Sequence, residues 1–120
     1  MMGKRILVVE RDKDILDLIT TILEGKGFIV SQSRTETAIV DRVIKEKPDA
    51  IILDIIKPTP EGTALCDDIK KTKSIKHIPV IVLSTYPNIK SSKVECADEI
   101  ISKPFDIDEL IDEIEKQVVA

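Results

Sequence analysis

The sequence predicts an α/β fold with a doubly wound, five-stranded parallel sheet and helices on both of its faces. Short, continuous apolar runs alternate along the chain with segments whose apolar residues recur at helical spacing. Strands covered on both faces of a parallel sheet give such runs, and right-handed crossover helices join them. The 120 residues suit one domain with its own core, so we expect a single domain over residues 1–120.

Each apolar run marks an expected strand. The runs cover residues 6–9, 28–30, 50–53, 80–83 and 100–101. After the first strand, we expect Asp12 to cap a helix that ends near Gly25 and buries Ile15, Leu18, Ile19, Ile22 and Leu23. After the second strand, Thr35 is the expected cap of a helix that Pro48 closes.

The second half of the chain has one clear weak point. A third helix is expected over residues 63–71, and a last helix begins at Asp106, with Glu109 completing a capping box. The last helix should bury Ile107, Leu110, Ile111, Ile114 and Val118. Residues 86–95 contain proline, asparagine and serine with few apolar anchors, so the fourth helix should be short or irregular.

The composition excludes several classes of partner. A net charge of -4 and 2% aromatic residues argue against nucleic-acid binding, and no apolar run could span a membrane. We expect a cytoplasmic protein, because no signal peptide is evident. Cys66 and Cys96 lack a metal-like spacing, so we expect free thiols in a reducing compartment.

Polar residues follow four of the five strands, at the edge where α/β sheets bind ligands. Glu10 follows the first strand, Ser84 the fourth and Lys103 the fifth, whereas strand two supplies only Ser31 and Gln32. Asp54 directly follows AIIL in the central strand, and a buried carboxylate there needs a cation. Lys103 is the natural candidate.

This arrangement resembles the receiver domain of two-component response regulators over the whole chain. The matching features are the acids after strand one, LDIIKPTPEG around Asp54, Ser84 after PVIVL, and the KPF that begins at Lys103. The resemblance implies a flavodoxin-like sheet with strand order 2-1-3-4-5 and a cis peptide between Lys103 and Pro104. Because the sequence stops just after the last expected helix, we expect a stand-alone receiver with no output domain, which signals rather than acting as an enzyme.

The resemblance also implies roles for individual residues. Asp54 would accept a phosphoryl group from a histidine kinase or phosphotransfer protein, and the receiver would then contact an unknown downstream protein. Mg²⁺ would be held by Glu10, Asp54 and the backbone carbonyl of Ile56, since it prefers hard oxygen ligands. Lys103 and the hydroxyl of Ser84 would bind the phosphoryl oxygens.

Arg11 departs from the family pattern, because an acidic metal ligand usually stands there. A guanidinium about 6 Å from Mg²⁺ would be repelled by roughly 5 kcal/mol at an effective dielectric of about 20, so any Mg²⁺ site should be weak. Three arrangements are open. Arg11 points outward, which we favour; Asp12 turns in as a substitute ligand; or Arg11 turns in and pairs with Asp54 or a phosphoryl group.

Two further departures and two rival functions complete the expectations. Ile100 replaces the usual aromatic residue of strand five, and the span from Ser84 to Lys103 is shorter than usual, so partner contacts should differ. The main alternative is a pseudo-receiver that binds partners with impaired Mg²⁺-dependent phosphorylation. An enzyme on a similar fold is disfavoured, because a haloacid-dehalogenase-like phosphatase needs an acid at position 56 and a flavodoxin needs a phosphate loop in place of ERD.

Overall fold

Five parallel strands form one sheet in the order β2-β1-β3-β4-β5, which confirms the expected fold class and strand order. The computed structural model describes residues 3–92 and 94–119. The strands are β1 (Arg5–Val9), β2 (Ile29–Ser33), β3 (Ala50–Asp54), β4 (Val80–Ser84) and β5 (Glu99–Ser102). The helices are α1 (Lys13–Gly25), α2 (Ile39–Glu46), α3 (Ala64–Lys71) and α4 (Ile107–Val119), with a 3-10 turn at Ile89–Ser91.

The two faces of the sheet bury two separate aliphatic clusters. Successive residues of a strand point to opposite faces, so alternate positions of β1 and β3 enter different clusters. One cluster lies under α2, α3 and the connection from β4 to β5, and includes Leu7, Val9, Ile51, Leu53, Val43 and Ile69. The other lies under α1 and α4, and includes Ile6, Val8, Ile52, Ile19, Leu110 and Ile114. Burial on both faces explains why the strands are continuous apolar runs.

Helix α1 begins as its sequence predicts. Oδ1 of Asp12 accepts a hydrogen bond of 3.1 Å from the amide of Ile15, which satisfies one of the free N–H groups of the first turn. Of the expected buried face, Ile19 and Leu23 are buried and Ile15 and Ile22 are partly buried. Leu18 is 48% exposed, and Leu16 is buried instead, so the helix is rotated slightly relative to the predicted stripe.

The region before α2 differs from the prediction. Strand β2 continues to Ser33, whereas its apolar run ends at residue 30. Thr35 is not the helix cap. The hydroxyl of Ser33 donates to the carbonyl of Thr35 and accepts from the amide of Thr35, which holds both residues in a turn. The helix starts only at Ile39, after Ala38 adopts a left-handed conformation with φ of 58°.

The connection from β4 to β5 (residues 85–98, hereafter the β4–β5 connection) contains one 3-10 turn, which confirms the expectation of a short or irregular fourth helix. Helix α4 begins at Ile107, directly after Asp106. Ile107 is 49% exposed, so its predicted burial is wrong, whereas the other expected core residues of α4 are buried. The carboxylate of Glu109 accepts a hydrogen bond from Lys90 on the β4–β5 connection.

The expectation of two free thiols is wrong, because Cys66 and Cys96 are joined in a disulfide. Cys66 lies on α3 and Cys96 lies in the β4–β5 connection, and their Cα atoms are 5.7 Å apart. Both side chains enter the same buried cluster, so the fold brings together cysteines that are 30 residues apart in sequence. None of the helices within residues 3–92 and 94–119 is long and apolar enough to cross a membrane.

Gly62 should tolerate no side chain, because its backbone lies against the loop that follows Asp54. A β-carbon at Gly62 would overlap the backbone carbonyl oxygen of Lys57. We expect Gly62→Ala to lower the free energy of unfolding by about 1–3 kcal/mol, measured by urea denaturation. Gly25→Ala is the matched control, since a β-carbon there has nothing within 4 Å and should change stability by less than about 1 kcal/mol. Equal effects of the two substitutions would contradict this account.

Candidate functional site

Three buried charged side chains meet at the carboxyl end of the sheet. Glu10 follows β1, Asp54 ends β3, and Lys103 follows β5. Nζ of Lys103 lies 2.7 Å from Oε1 of Glu10 and 3.0 Å from Oδ1 of Asp54. The three side chains are 1–9% exposed, so water screens these ion pairs poorly. The structure therefore brings together the acid, the central carboxylate and the lysine that the sequence singled out.

Arg11 turns into the site, so the favoured expectation of an outward side chain is wrong. Its Nε donates a 2.9 Å hydrogen bond to Oδ2 of Asp54, and its Nη2 donates to the backbone carbonyl of Asp54 at 3.2 Å. Lys103 reaches only one carboxylate oxygen of Asp54, and the guanidinium takes the other. Asp12 does not substitute as a ligand, because its side chain caps α1. The inward arrangement is therefore the one that the structure shows.

Two residues that the sequence did not suggest lie next to Arg11, and one of them binds its backbone. Nε and Nη2 of Arg34 both donate to the backbone carbonyl of Arg11, each at 3.2 Å. Oε2 of Glu36 lies 4.0 Å from Nη2 of Arg11. Both residues were missed because the apolar run of strand two stops at residue 30. With β2 ending at Ser33, the charges of SRTET fall at the functional edge, and extending the strand through SQS would have revealed them.

The remaining predicted residues lie around this charged centre. Ser84 is fully buried, and its hydroxyl accepts a 3.1 Å hydrogen bond from the amide of Tyr86. Its carbonyl accepts from the amide of Lys103 at 2.8 Å, which connects the ends of β4 and β5. Ile56 is exposed and lines a surface cavity next to Arg11. The peptide between Lys103 and Pro104 is cis, as expected.

The surroundings shift the pKa values of the two acids in opposite directions. Burial alone would raise the pKa of Asp54, but the hydrogen bonds and charges of Arg11 and Lys103 outweigh it and lower that pKa. Burial raises the pKa of Glu10, although Lys103 and the amide of Asp12 act in the other direction. The site therefore stabilises the charged form of Asp54, whereas it disfavours the charged form of Glu10.

The residues at this edge do not fit a Mg²⁺ ion in this arrangement. Both carboxylate oxygens of Asp54 accept from cations, and those of Glu10 accept from Lys103 and the amide of Asp12. Two carboxylates already balance two cations, so a divalent ion would add uncompensated positive charge beside a guanidinium. Within the described part of the chain, no three histidine, cysteine, aspartate or glutamate residues are grouped as metal ligands.

Removing the guanidinium of Arg11 should change how the free energy of unfolding depends on pH. A carboxyl with a lowered pKa stabilises the fold above its unfolded pKa, and this contribution is lost as the pH falls through the folded pKa. Arg11→Gln should raise the folded pKa of Asp54, so the loss should begin at higher pH than in the wild type. Urea denaturation between about pH 6 and about pH 3, with ¹³C NMR titration of the Asp54 carboxyl, would measure both effects.

Lys13→Gln is the control for that experiment, because it removes an exposed positive charge that pairs with Asp17 rather than Asp54. It should leave the carboxyl titration of Asp54 close to that of the wild type. The account of the site would be refuted by an Asp54 pKa that is the same in the Arg11→Gln variant and the wild type.

Curated relatives resemble the chain over nearly all of its length. The DNA-binding dual master transcriptional regulator RpaA of Synechocystis sp. is 30% identical over 111 residues, which are 89% of this chain and 46% of RpaA. The regulatory protein VanRc of Enterococcus gallinarum is 30% identical over 121 residues, 98% of this chain and 51% of VanRc. The chain thus spans about half the length of these relatives.

Solved structures give the same picture. The receiver domain of a signal transduction histidine kinase from Syntrophus aciditrophicus is 29% identical, with a TM-score of 0.84 over 98% of this chain and 91% of that one. TrrA of Thermotoga maritima, solved with Mg²⁺ and BeF, is 29% identical, with a TM-score of 0.82 over 95% and 98% of the two chains. Residues 6–115 match the family model described as the response regulator receiver domain, and the chain belongs to that family.

Proposed function

We propose that the chain accepts a phosphoryl group on Asp54 and that Arg11 supplies the charge compensation that Mg²⁺ generally supplies in receiver domains. The observation that carries the proposal is the 2.9 Å hydrogen bond from Nε of Arg11 to Oδ2 of Asp54. A guanidinium is permanently charged and binds phosphoryl oxygens through parallel N–H groups. The site therefore holds a phosphate-binding cation already in contact with the carboxylate.

The two cations of the site differ in freedom, which suggests how the carboxylate could react. Lys103 is 8% exposed and fixed between two acids, whereas the side chain of Arg11 is 44% exposed. Arg11 can therefore leave Oδ2 while Lys103 keeps Oδ1 in place. Oδ2 would attack phosphorus as the bond to the donor nitrogen breaks and the departing imidazole takes a proton. Arg11 would then bind the phosphoryl oxygens.

The phosphoryl donor would be a histidine kinase or a phosphotransfer protein, the partners with which receiver domains interact. Receiver domains signal and are generally not catalytic, so the output of this one would be contact with another protein. The net charge of -4 supports a protein partner rather than nucleic acid for this domain, although RpaA is named as DNA-binding. That this receiver acts as a stand-alone module remains a prediction.

A second function is favoured by a separate observation. All four carboxylate oxygens of Glu10 and Asp54 accept hydrogen bonds, so the nucleophile is already paired in the resting site. If Arg11 does not release Oδ2, the chain is a pseudo-receiver. It would then bind partners through its surface without being phosphorylated, and the ion pair would serve to hold the strand ends together.

Phosphorylation by phosphoramidate separates these two functions. We expect the wild type to gain the mass of one phosphoryl group in excess EDTA, with little acceleration by Mg²⁺. Asp54→Asn should gain none, because it lacks the nucleophile. Arg11→Asp restores the acid usual in the family and should make phosphorylation depend on Mg²⁺. Intact-mass spectrometry over a time course measures all three.

Other outcomes of this experiment are equally informative. No addition to the wild type under any condition, with addition to Arg11→Asp in Mg²⁺, would establish the pseudo-receiver. Addition to the wild type only in Mg²⁺ would show that Arg11 moves aside for a metal and would refute its role as the compensating cation. Lys13→Gln serves as the charge control and should react like the wild type.

Magnesium affinity provides an independent check. Arg11→Asp removes a repelling cation and adds an oxygen ligand, so it should bind Mg²⁺ at least about tenfold more tightly than the wild type. Isothermal titration calorimetry on both proteins at the same ionic strength would measure the difference. Comparable affinities would mean that Arg11 does not govern the metal site.

A further inference from the structure

The β4–β5 connection has few ties to the rest of the protein. From Tyr86 to Ala97, each described backbone N–H bond joins residues of the connection itself or the hydroxyl of Ser84 next to it. The next backbone bond to the sheet comes at the far end, where the amide of Asp98 donates to the carbonyl of Val80 at 2.8 Å. Among its described residues, the only regular structure is the 3-10 turn. The Lys90–Glu109 pair is half-exposed, and the Lys70–Asp98 pair joins only the far end of the connection to α3. The connection therefore depends on side chains for its position.

Three buried side chains attach the connection to the core, and one of them is covalently linked. Ile89, Val94 and Cys96 enter the cluster beneath α3, where Cys96 is bonded to the fully buried Cys66. The Cα atoms lie 5.7 Å apart, within the usual range for a disulfide, and α3 fixes one of the partners. The pair is therefore preorganised: after reduction, packing would keep the two thiols close enough to reoxidise.

Reagents can approach one sulfur more easily than the other. Cys96 lines an open cavity of about 320 Å³ whose wall includes Pro58 and Thr63, whereas Cys66 is completely covered. Thiol–disulfide exchange requires a thiolate to reach one of the two sulfurs. The cavity leads to the residue that belongs to the weakly held connection, so a small opening of that connection would expose the bond.

We propose that the Cys66–Cys96 pair is a reversible redox site whose state sets the mobility of the β4–β5 connection. The substrate for reduction is a dithiol. Its thiolate attacks the sulfur of Cys96, the disulfide breaks, and Cys66 leaves as a thiolate that takes a proton. The second thiol of the reductant then releases Cys96 as a protonated thiol and forms the reductant's own disulfide. Two electrons and two protons are transferred, and a disulfide oxidant reverses the step.

The change would act next to the phosphorylation machinery without taking part in it. The connection begins directly after Ser84, and Tyr86 within it donates to the hydroxyl of Ser84. Loosening the connection would therefore release the Ser84 hydroxyl from the amide of Tyr86. It would also change the surface that the connection and α4 form together, where Lys90 pairs with Glu109. The proposal uses neither Asp54 nor Arg11, so its test is separate from that of phosphoryl acceptance.

Alkylation and amide exchange test the proposal on the full chain. Protein treated with oxidised dithiothreitol should take up no iodoacetamide under native conditions, and protein treated with dithiothreitol should take up two. Hydrogen–deuterium exchange should then be about tenfold faster in the β4–β5 connection after reduction, and unchanged in β1 and β3. The double variant Cys66→Ser/Cys96→Ser should exchange like the reduced protein; if it does not fold, the two redox states of the wild type remain the comparison.

Three results would overturn the proposal. Two reactive thiols after treatment with the oxidant would mean that the bond does not form. Reduction that requires denaturant would make the bond a permanent structural link. Exchange that is unchanged in the connection, or that rises equally throughout the sheet, would show that the bond does not control this segment.

Discussion

A buried carboxylate at the end of the central strand governs the arrangement of the carboxyl edge of the sheet. Asp54 ends the central strand beside Leu83 of β4 and is only 7% exposed, and a carboxylate in such a place is stable only with cations beside it. Lys103 supplies one cation from the end of β5 and Arg11 supplies another from the end of β1. Three strand ends are thus fixed relative to one another by a single side chain.

A guanidinium beside a carboxylate behaves differently from a metal ion in the same place. A divalent ion exchanges with solvent and its occupancy depends on its concentration, whereas an arginine is always present and always charged. The Arg11 side chain remains half-exposed, so it is held by its contacts and not by enclosure. The positive charge that compensates Asp54 is therefore part of the polypeptide, and only the position of the guanidinium can vary.

The sequence predicted the fold and the buried part of the site because both follow from local patterns. Continuous apolar runs identify buried parallel strands, and the residue after each run must lie at the carboxyl edge, which places Glu10, Asp54 and Lys103 together. The direction of Arg11 could not be predicted, since it depends on which oxygen of Asp54 remains free after Lys103 binds. Arg34 and Glu36 were missed because β2 ends in polar residues.

The disulfide and the exposed Leu18 of α1 also show that local sequence patterns do not predict contacts that depend on packing. Nothing in the spacing of Cys66 and Cys96 indicates proximity, because their approach depends on how α3 packs against a connection with little regular structure. Leu18 fits the helical stripe, yet the rotation of α1 on the sheet decides which side chains are covered. Periodicity defines a face of a helix only to within about one residue position.

The hydrogen bonds from Arg34 to the backbone of residue 11 have an evolutionary consequence. Arg34 binds the main-chain carbonyl of residue 11, a group that every amino acid possesses. The backbone at residue 11 therefore keeps its conformation whatever side chain that residue carries. A mutation at this one codon can replace a cation with an acid without rebuilding the surrounding loop. Under the role proposed for Arg11, one substitution would therefore separate metal-independent from metal-dependent chemistry, while the backbone that leads into α1 stays in place.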